Sequence, residues 1–126
     1  MAKILIIEDD PYVQRMYKRM FSHNHYDLIL ASKGDEGIEL ARKNNPDVIL
    51  LDIMLPGKNG LEVLEDLKNS PETKKIPVIM LTNLGDEEVV RQAKNLGADF
   101  YMVKADFSPN EVLEMIEKYI KPPKIV

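Results

Sequence analysis

Apolar residues along this chain follow two alternating patterns. Five short runs are continuously apolar: Ile4 to Ile7, Leu28 to Ala31, Val48 to Leu51, Val78 to Leu81 and Phe100 to Val103. Runs of this kind, without polar alternation, are expected of strands buried on both faces of a parallel sheet. Between them the spacing becomes helical. Val13, Met16, Tyr17, Met20 and Phe21 recur at i, i+3, i+4, i+7 and i+8, behind Asp10 as N-cap and Pro11 at the first helical position. A second helix is predicted over about residues 34–44, with Ile38 and Ala41 inward and Asn44-Asn45-Pro46 ending it. A third follows Gly60, turns Leu61, Leu64 and Leu67 inward, and stops near Ser70-Pro71. The fourth carries Val89, Val90, Ala93 and Leu96 and closes at Gly97. In the fifth, Ser108, Pro109 and Glu111 form a capping-box signature ahead of Val112, Leu113, Ile116 and Ile120.

Five rounds of strand and helix imply right-handed crossovers and an α/β, doubly wound (βα)₅ fold with helices on both faces of a parallel five-stranded sheet. All strand C-termini then share one edge, where ligands of such sheets bind. A length of 126 residues fits one domain, taken here as 1–121, with 122–126 as a proline-bearing tail or the start of a linker. The 44% hydrophobic content is enough for one core. With 17 basic and 21 acidic residues the net charge is −4, which argues against a surface that grips nucleic acid directly. Cys is absent, so disulfides, thiolate metal sites and cysteine nucleophiles are excluded, and a reducing, cytoplasmic location is expected. The first residues lack the long apolar region of a signal peptide, and no stretch approaches the ~20 apolar residues of a membrane span. His23 and His25 read as surface residues, and Met16 and Met20, at helical spacing, as core.

The polar residues that end the strands carry the chemistry. Strand one runs into Glu8-Asp9-Asp10, strand three into Asp52, strand four into Thr82 and strand five into Lys104. Carboxylates gathered on one rim repel one another unless a cation neutralises them. Oxygen ligands without His or Cys suit Mg²⁺, which takes a few carboxylates together with a phosphoryl oxygen. A carboxylate can itself be the nucleophile of phosphoryl transfer, and donors such as Lys104 and Thr82 can meet the charged phosphoryl oxygens. Asp52 is the expected acceptor because it ends the central third strand. Asp10 reads instead as the cap of the first helix.

Taken in order, Ile4-Leu5-Ile6-Ile7-Glu8-Asp9, Asp52-Ile53-Met54-Leu55-Pro56-Gly57-Lys58-Asn59-Gly60, Ile76-Pro77-Val78-Ile79-Met80-Leu81-Thr82, Gly97-Ala98-Asp99 and Tyr101-Met102-Val103-Lys104 resemble the receiver domains of bacterial two-component response regulators. The resemblance covers the whole chain. It implies the flavodoxin-like strand order 2-1-3-4-5. It also implies that Asp52 takes a phosphoryl group from a phosphohistidine on a sensor histidine kinase or phosphotransfer protein, in a Mg²⁺-dependent step. By the same resemblance Asp9 is a direct metal ligand, Glu8 acts mainly through water, and Asp52 and the backbone carbonyl of Met54 complete the set. Thr82 is the switch hydroxyl, Lys104 the phosphate-pairing amine, and Tyr101 the aromatic whose rotamer follows Thr82. The face made by the fourth helix, fifth strand and fifth helix is then remodelled to engage a downstream protein, an output domain or, after phosphorylation, a second copy.

This chain departs from the family pattern at three places. Ala105 stands where a proline in a cis bond commonly follows the lysine. A cis bond before alanine costs about 3 kcal/mol, so a trans bond and a displaced Lys104 are expected. Asn83 is larger than the residue that commonly follows the switch threonine, and is expected to narrow access to Asp52. Met54 and Leu84, at positions flanking the acceptor that are often polar, are apolar and cannot position an attacking water, so slow self-dephosphorylation is expected. Other classes fit less well. A flavin-nucleotide binder of the same fold needs a Ser/Thr/Gly-rich cradle after strand one, where this chain has Glu8-Asp9-Asp10-Pro11. A phosphohydrolase of the haloacid dehalogenase type needs an Asp two residues after the nucleophile, where Met54 stands. A pseudo-receiver that binds partners without phosphorylation is the remaining alternative.

Overall fold

The computed structural model describes residues 2–120; the tail at 122–126 therefore lies outside the described residues. Five parallel strands, β1 (Lys3–Ile7), β2 (Asp27–Ala31), β3 (Val48–Leu51), β4 (Val78–Thr82) and β5 (Phe100–Val103), form one sheet in the order β2-β1-β3-β4-β5. They alternate with α1 (Pro11–His23), α2 (Gly34–Asn44), α3 (Gly60–Asn69), α4 (Glu87–Asn95) and α5 (Pro109–Tyr119). This is the doubly wound architecture and strand order expected. Among the described residues, no helix is long and apolar enough to cross a membrane.

Strand alternation divides the interior into two cores. Leu5, Ile7, Ile49, Leu51, Val78 and Met80 face one side, where Ile38 and Ala41 of α2, Val63, Leu64 and Leu67 of α3 and Ala93 of α4 cover them. Ile4, Ile6, Val48, Leu50, Ile79, Leu81 and Met102 face the other, under Tyr17 and Phe21 of α1 and Val112, Leu113 and Ile116 of α5. Both faces being covered is why β1, β3 and β4 read as unbroken apolar runs.

Local signals set the helix ends as anticipated. Asp10 accepts from the Tyr12 N–H ahead of Pro11, and Ser108 with Glu111 closes a capping box at α5. Gly97, at φ +105°, takes the left-handed position just past α4, where a side chain is strained. Asn59 and Glu62 form a second capping box, at the start of α3.

Three expectations about inward faces need correction. Met16 is not a core residue: it is 42% exposed. At about 100° per residue it lies roughly 140° around the helix from Phe21, and the buried stripe is centred on Tyr17 and Phe21. On α3, Val63 takes the fully buried place and Leu61 is only half-buried. On α4, Ala93 alone is buried, while Val89, Val90 and Leu96 are half-covered, because this helix packs beside the edge strand β5 rather than over the sheet centre. His23 and His25 are exposed, as anticipated.

Phe21 is fully buried, stacked on Tyr17 at 5.8 Å between ring centroids and edge-on to Tyr26 at 6.1 Å. Truncating it leaves a cavity between α1, α5 and the sheet. Phe21→Ala is therefore expected to cost about 3–5 kcal/mol, read as a lower urea midpoint with an unchanged slope.

Candidate functional site

The sheet ladder continues one residue beyond two of its strands. The Glu8 N–H donates to the Ala31 carbonyl at 2.9 Å, and the Asp52 N–H donates to the Ile7 carbonyl at 3.0 Å. Glu8 and Asp52 are thus held by backbone hydrogen bonds in the rigid part of the molecule. They also continue the side-chain alternation of Ile4 and Ile6, and of Val48 and Leu50, on the α1/α5 side. Their carboxylates are nearly fully buried, at 3% and 6% residue exposure, whereas Asp9 and Asp10 are exposed.

Lys104 joins them from the end of β5. Its Nζ donates to Asp52 Oδ2 at 2.9 Å and also to Glu8 Oε1. The side chain comes from a 3₁₀ turn, Lys104–Asp106, that the sequence pattern did not foretell. No peptide bond among the described residues is cis. The expected displacement of Lys104 is therefore overturned: with Ala105 after it and a trans backbone, the ammonium still reaches both carboxylates, because the four-carbon stem spans the gap.

Other contacts brace the same rim. Asp52 Oδ1 accepts from the Met54 N–H at 3.1 Å, and Glu8 Oε2 accepts from the Asp10 N–H at 3.0 Å. Gln14 on α1 donates to the Glu8 carbonyl at 2.5 Å and to Ser32 Oγ at 3.1 Å. Gln14 had no motif to mark it; the only signal was a polar residue on the inner side of an amphipathic helix. Gly60 approaches the end of β3 closely: a Cβ there would lie 2.2 Å from the Asp52 carbonyl oxygen. Thr82 is fully buried, and its Oγ1 accepts a long bond of 3.4 Å from the Leu84 N–H. The Tyr101 hydroxyl donates to the Leu84 carbonyl, so the β4–α4 loop is tied to β5 as well. Asn83 is exposed, and Leu84 packs against the core on the α2/α3 side.

The electrostatics follow from burial. Loss of solvent pushes the Glu8 carboxyl upward, with Asp52 adding to the effect, and Lys104 and the Asp10 N–H oppose it without cancelling it. For Lys104, burial acts downward, but the hydrogen bonds and charges of Glu8 and Asp52 outweigh it and the ammonium is stabilised. Glu8, Asp9 and Asp52 each offer an oxygen, and these oxygens lie within 4.8 Å of one another. One ammonium against three carboxylates leaves the rim negative. An all-oxygen donor set with that excess charge fits a hard divalent cation such as Mg²⁺ and no soft metal. The Met54 carbonyl belongs to the same turn as the N–H that touches Asp52.

Residues 4–117 match the model of the response regulator receiver domain. The chain belongs to that family. It is 38% identical over 119 residues to the transcriptional regulatory protein SrrA of Staphylococcus aureus, covering 94% of this chain and 48% of SrrA. The receiver domain thus spans about half the length of the curated relatives it matches. Among solved structures it is similar to the chemotaxis protein CheY4 of Vibrio cholerae, with a TM-score of 0.88, 28% identity, and coverage of 95% of this chain and 99% of that one. It is also similar to the Mn²⁺-bound form of response regulator Rcp1, with a TM-score of 0.79, 28% identity, and coverage of 94% and 91%.

Removing the one ammonium from this receiver site leaves two buried carboxylates facing each other. Lys104→Ala is expected to destabilise the metal-free protein by about 3 kcal/mol at pH 8. Without the cation the folded-state Glu8 carboxyl moves further above its unfolded value, so the folded state binds more protons. The deficit should therefore shrink as pH falls toward 5. Urea unfolding of wild type and variant at the two pH values checks both the size and the sign.

Proposed function

We propose that this receiver domain accepts a phosphoryl group on Asp52 from the phosphohistidine of a sensor histidine kinase or phosphotransfer protein, and that the modification switches the α4–β5–α5 face. The observation that carries the reading is the convergence of the Lys104 ammonium on Asp52 and Glu8, with Asp9 beside them. An Asp52 carboxylate oxygen attacks phosphorus as the P–N bond to the histidine breaks, leaving an acyl phosphate. Asp52 is poised because two neighbours, the Met54 N–H and Lys104 Nζ, hold its two oxygens in one orientation. Lys104 then has a phosphoryl oxygen to pair with in place of part of its carboxylate contacts. Glu8, Asp9, Asp52 and the Met54 carbonyl would hold Mg²⁺, which would neutralise the charge brought together in transfer.

The switch is proposed to run through Thr82 and Tyr101. Among the described residues, Thr82 Oγ1 has only the long bond from the Leu84 N–H, which leaves its hydroxyl proton free to turn toward a phosphoryl oxygen. Movement of Thr82 pulls on the β4–α4 loop, whose Leu84 carbonyl holds the Tyr101 hydroxyl. The docking face follows from that connection. A groove of about 250 Å³ lined by Val90, Lys94, Ala98, Asp99, Phe100 and Tyr101 lies on it. A downstream protein, an output domain or a second phosphorylated copy would dock there. SrrA is a transcriptional regulatory protein about twice the length of this chain, which supports an output domain as the partner and nucleic acid as that domain's target. Receiver domains signal and do not turn over substrate, so the chemistry at Asp52 ends with loss of the phosphoryl group. The absence of Cys supports a cytoplasmic setting.

The test is incubation with Mg²⁺ and acetyl phosphate, read by intact mass and by NMR, since the chain has no Trp to report. A Mg²⁺-dependent phosphoryl adduct is expected on wild type and none on Asp52→Asn; equal labelling of the two, or no labelling of either, overturns the reading. A second expectation concerns lifetime. With apolar side chains at Met54 and Leu84, two residues after Asp52 and Thr82, the acyl phosphate should hydrolyse slowly, and Leu84→Gln should shorten its half-life severalfold in a phosphate-release assay.

A further inference from the structure

Cysteine is absent from this chain, which leaves methionine as its one side chain open to reversible oxidation by peroxide. Among the described methionines, Met80 and Met102 are fully buried, whereas Met54 is 60% exposed and Met16 42%. Met54 is set apart by where its loop places it. Ile53 and Leu55 on either side are buried, at 6% and 8% exposure, and the Leu55 N–H bonds the Ile53 carbonyl at 2.9 Å. This tight turn is pinned from both sides, and only its middle side chain stands in solvent. Its backbone N–H, meanwhile, touches the Asp52 carboxylate at 3.1 Å. An oxidisable thioether therefore sits on the residue that contacts the acceptor, held by a loop whose anchors do not depend on it.

We propose that Met54 is an oxidation site through which peroxide shortens the life of the phosphorylated state; this rests on the phosphoacceptor reading of Asp52. In the first step a sulfur lone pair attacks a peroxide oxygen, the O–O bond breaks, and the departing hydroxide takes the remaining proton to leave water. Sulfur loses two electrons and peroxide gains them. The new sulfoxide oxygen is a strong hydrogen-bond acceptor on an exposed, formerly apolar side chain two residues from Asp52. In the second step that oxygen orients a water beside the acyl phosphate, accepting a hydrogen bond without taking the proton. Water oxygen bonds phosphorus, the bond from phosphorus to Asp52 oxygen breaks, and Asp52 carboxylate, phosphate and a solvent proton result. Because Met54 lies outside both cores, oxidation there leaves the fold intact, whereas oxidation of Met80 or Met102 would introduce an unpaired polar group into the interior.

The experiment uses the Met16→Leu background, in which Met54 is the one exposed methionine among the described residues. The protein is treated with graded hydrogen peroxide, peptide mass spectrometry places the oxidation, and phosphate release is timed after labelling with acetyl phosphate. Sulfoxide is expected at Met54 before any other described methionine, with a half-life shortened severalfold and restored by methionine sulfoxide reductase. Adding Met54→Leu should give one half-life before and after peroxide, and Met54→Gln should be short-lived without peroxide. If Asp52 is labelled normally but the half-life is the same for oxidised and reduced protein, or Met54 resists oxidation while buried methionines react, the oxidation proposal fails alone. If Asp52 takes no label in reduced protein, the phosphoacceptor reading fails with it.

Discussion

A single ammonium between two buried carboxylates is the constraint around which the functional edge of this receiver domain is arranged. Lys104 contacts both Glu8 and Asp52, and each of those side chains has given up nearly all of its solvent. Burying carboxylates is tolerable only where charge and hydrogen bonds replace water. Here the replacements are Lys104 together with the backbone N–H groups of Asp10 and Met54. The compensation is incomplete, since burial still dominates at Glu8 and an exposed third carboxylate, Asp9, adds to the charge. The residual negative charge is what makes the rim fit for a hard cation.

That arrangement depends on a rigid support. Backbone bonds from Glu8 to Ala31 and from Asp52 to Ile7 tie the two acids into the sheet one residue past the strand ends. The sheet is in turn covered on both faces, so its edge cannot sag without opening a core. The remaining contacts of the site come from connections: the turn that carries Met54, the 3₁₀ turn that carries Lys104, and the β4–α4 loop held by Tyr101. Loops mounted on a fixed sheet edge can change partners while Asp52 stays in place. The absence of any His or Cys near the rim keeps its chemistry to hard oxygen donors.

Much of this was legible in the order of residues. Unbroken apolar runs at Ile4 to Ile7 and Val48 to Leu51 announced strands covered on both sides, and Asp10-Pro11 and Ser108-Pro109 announced two helix starts, because those signals are local. Strict alternation then implied a parallel sheet, and a parallel sheet puts every strand end on one edge; Glu8, Asp9, Asp52, Thr82 and Lys104 could be gathered there before any coordinate was known. The family motifs led to the same residues. Periodicity was less reliable where a stripe is wide: it included Met16 in the core and favoured Leu61 over Val63, because the angle at which a helix meets the sheet is set by its neighbours and not by its own spacing.

Only the tertiary structure decided which groups touch. Ala105 after Lys104 argued from local backbone preference for a displaced lysine, yet the 3₁₀ turn and the reach of the side chain bring the ammonium to both acids. Tyr101 bonded to the Leu84 carbonyl and Met54 exposed between two buried neighbours have no signature in sequence, and Gln14 bracing Glu8 has only its place on an inner helix face, since each depends on segments brought together by packing. Residue types and their spacing determined the elements, the shared edge and the kind of chemistry, because these follow from local propensity and from the burial of apolar faces. Packing determined the pairing of charges and the degree of exposure, because Coulomb energy and desolvation depend on ångström distances between residues remote in the chain.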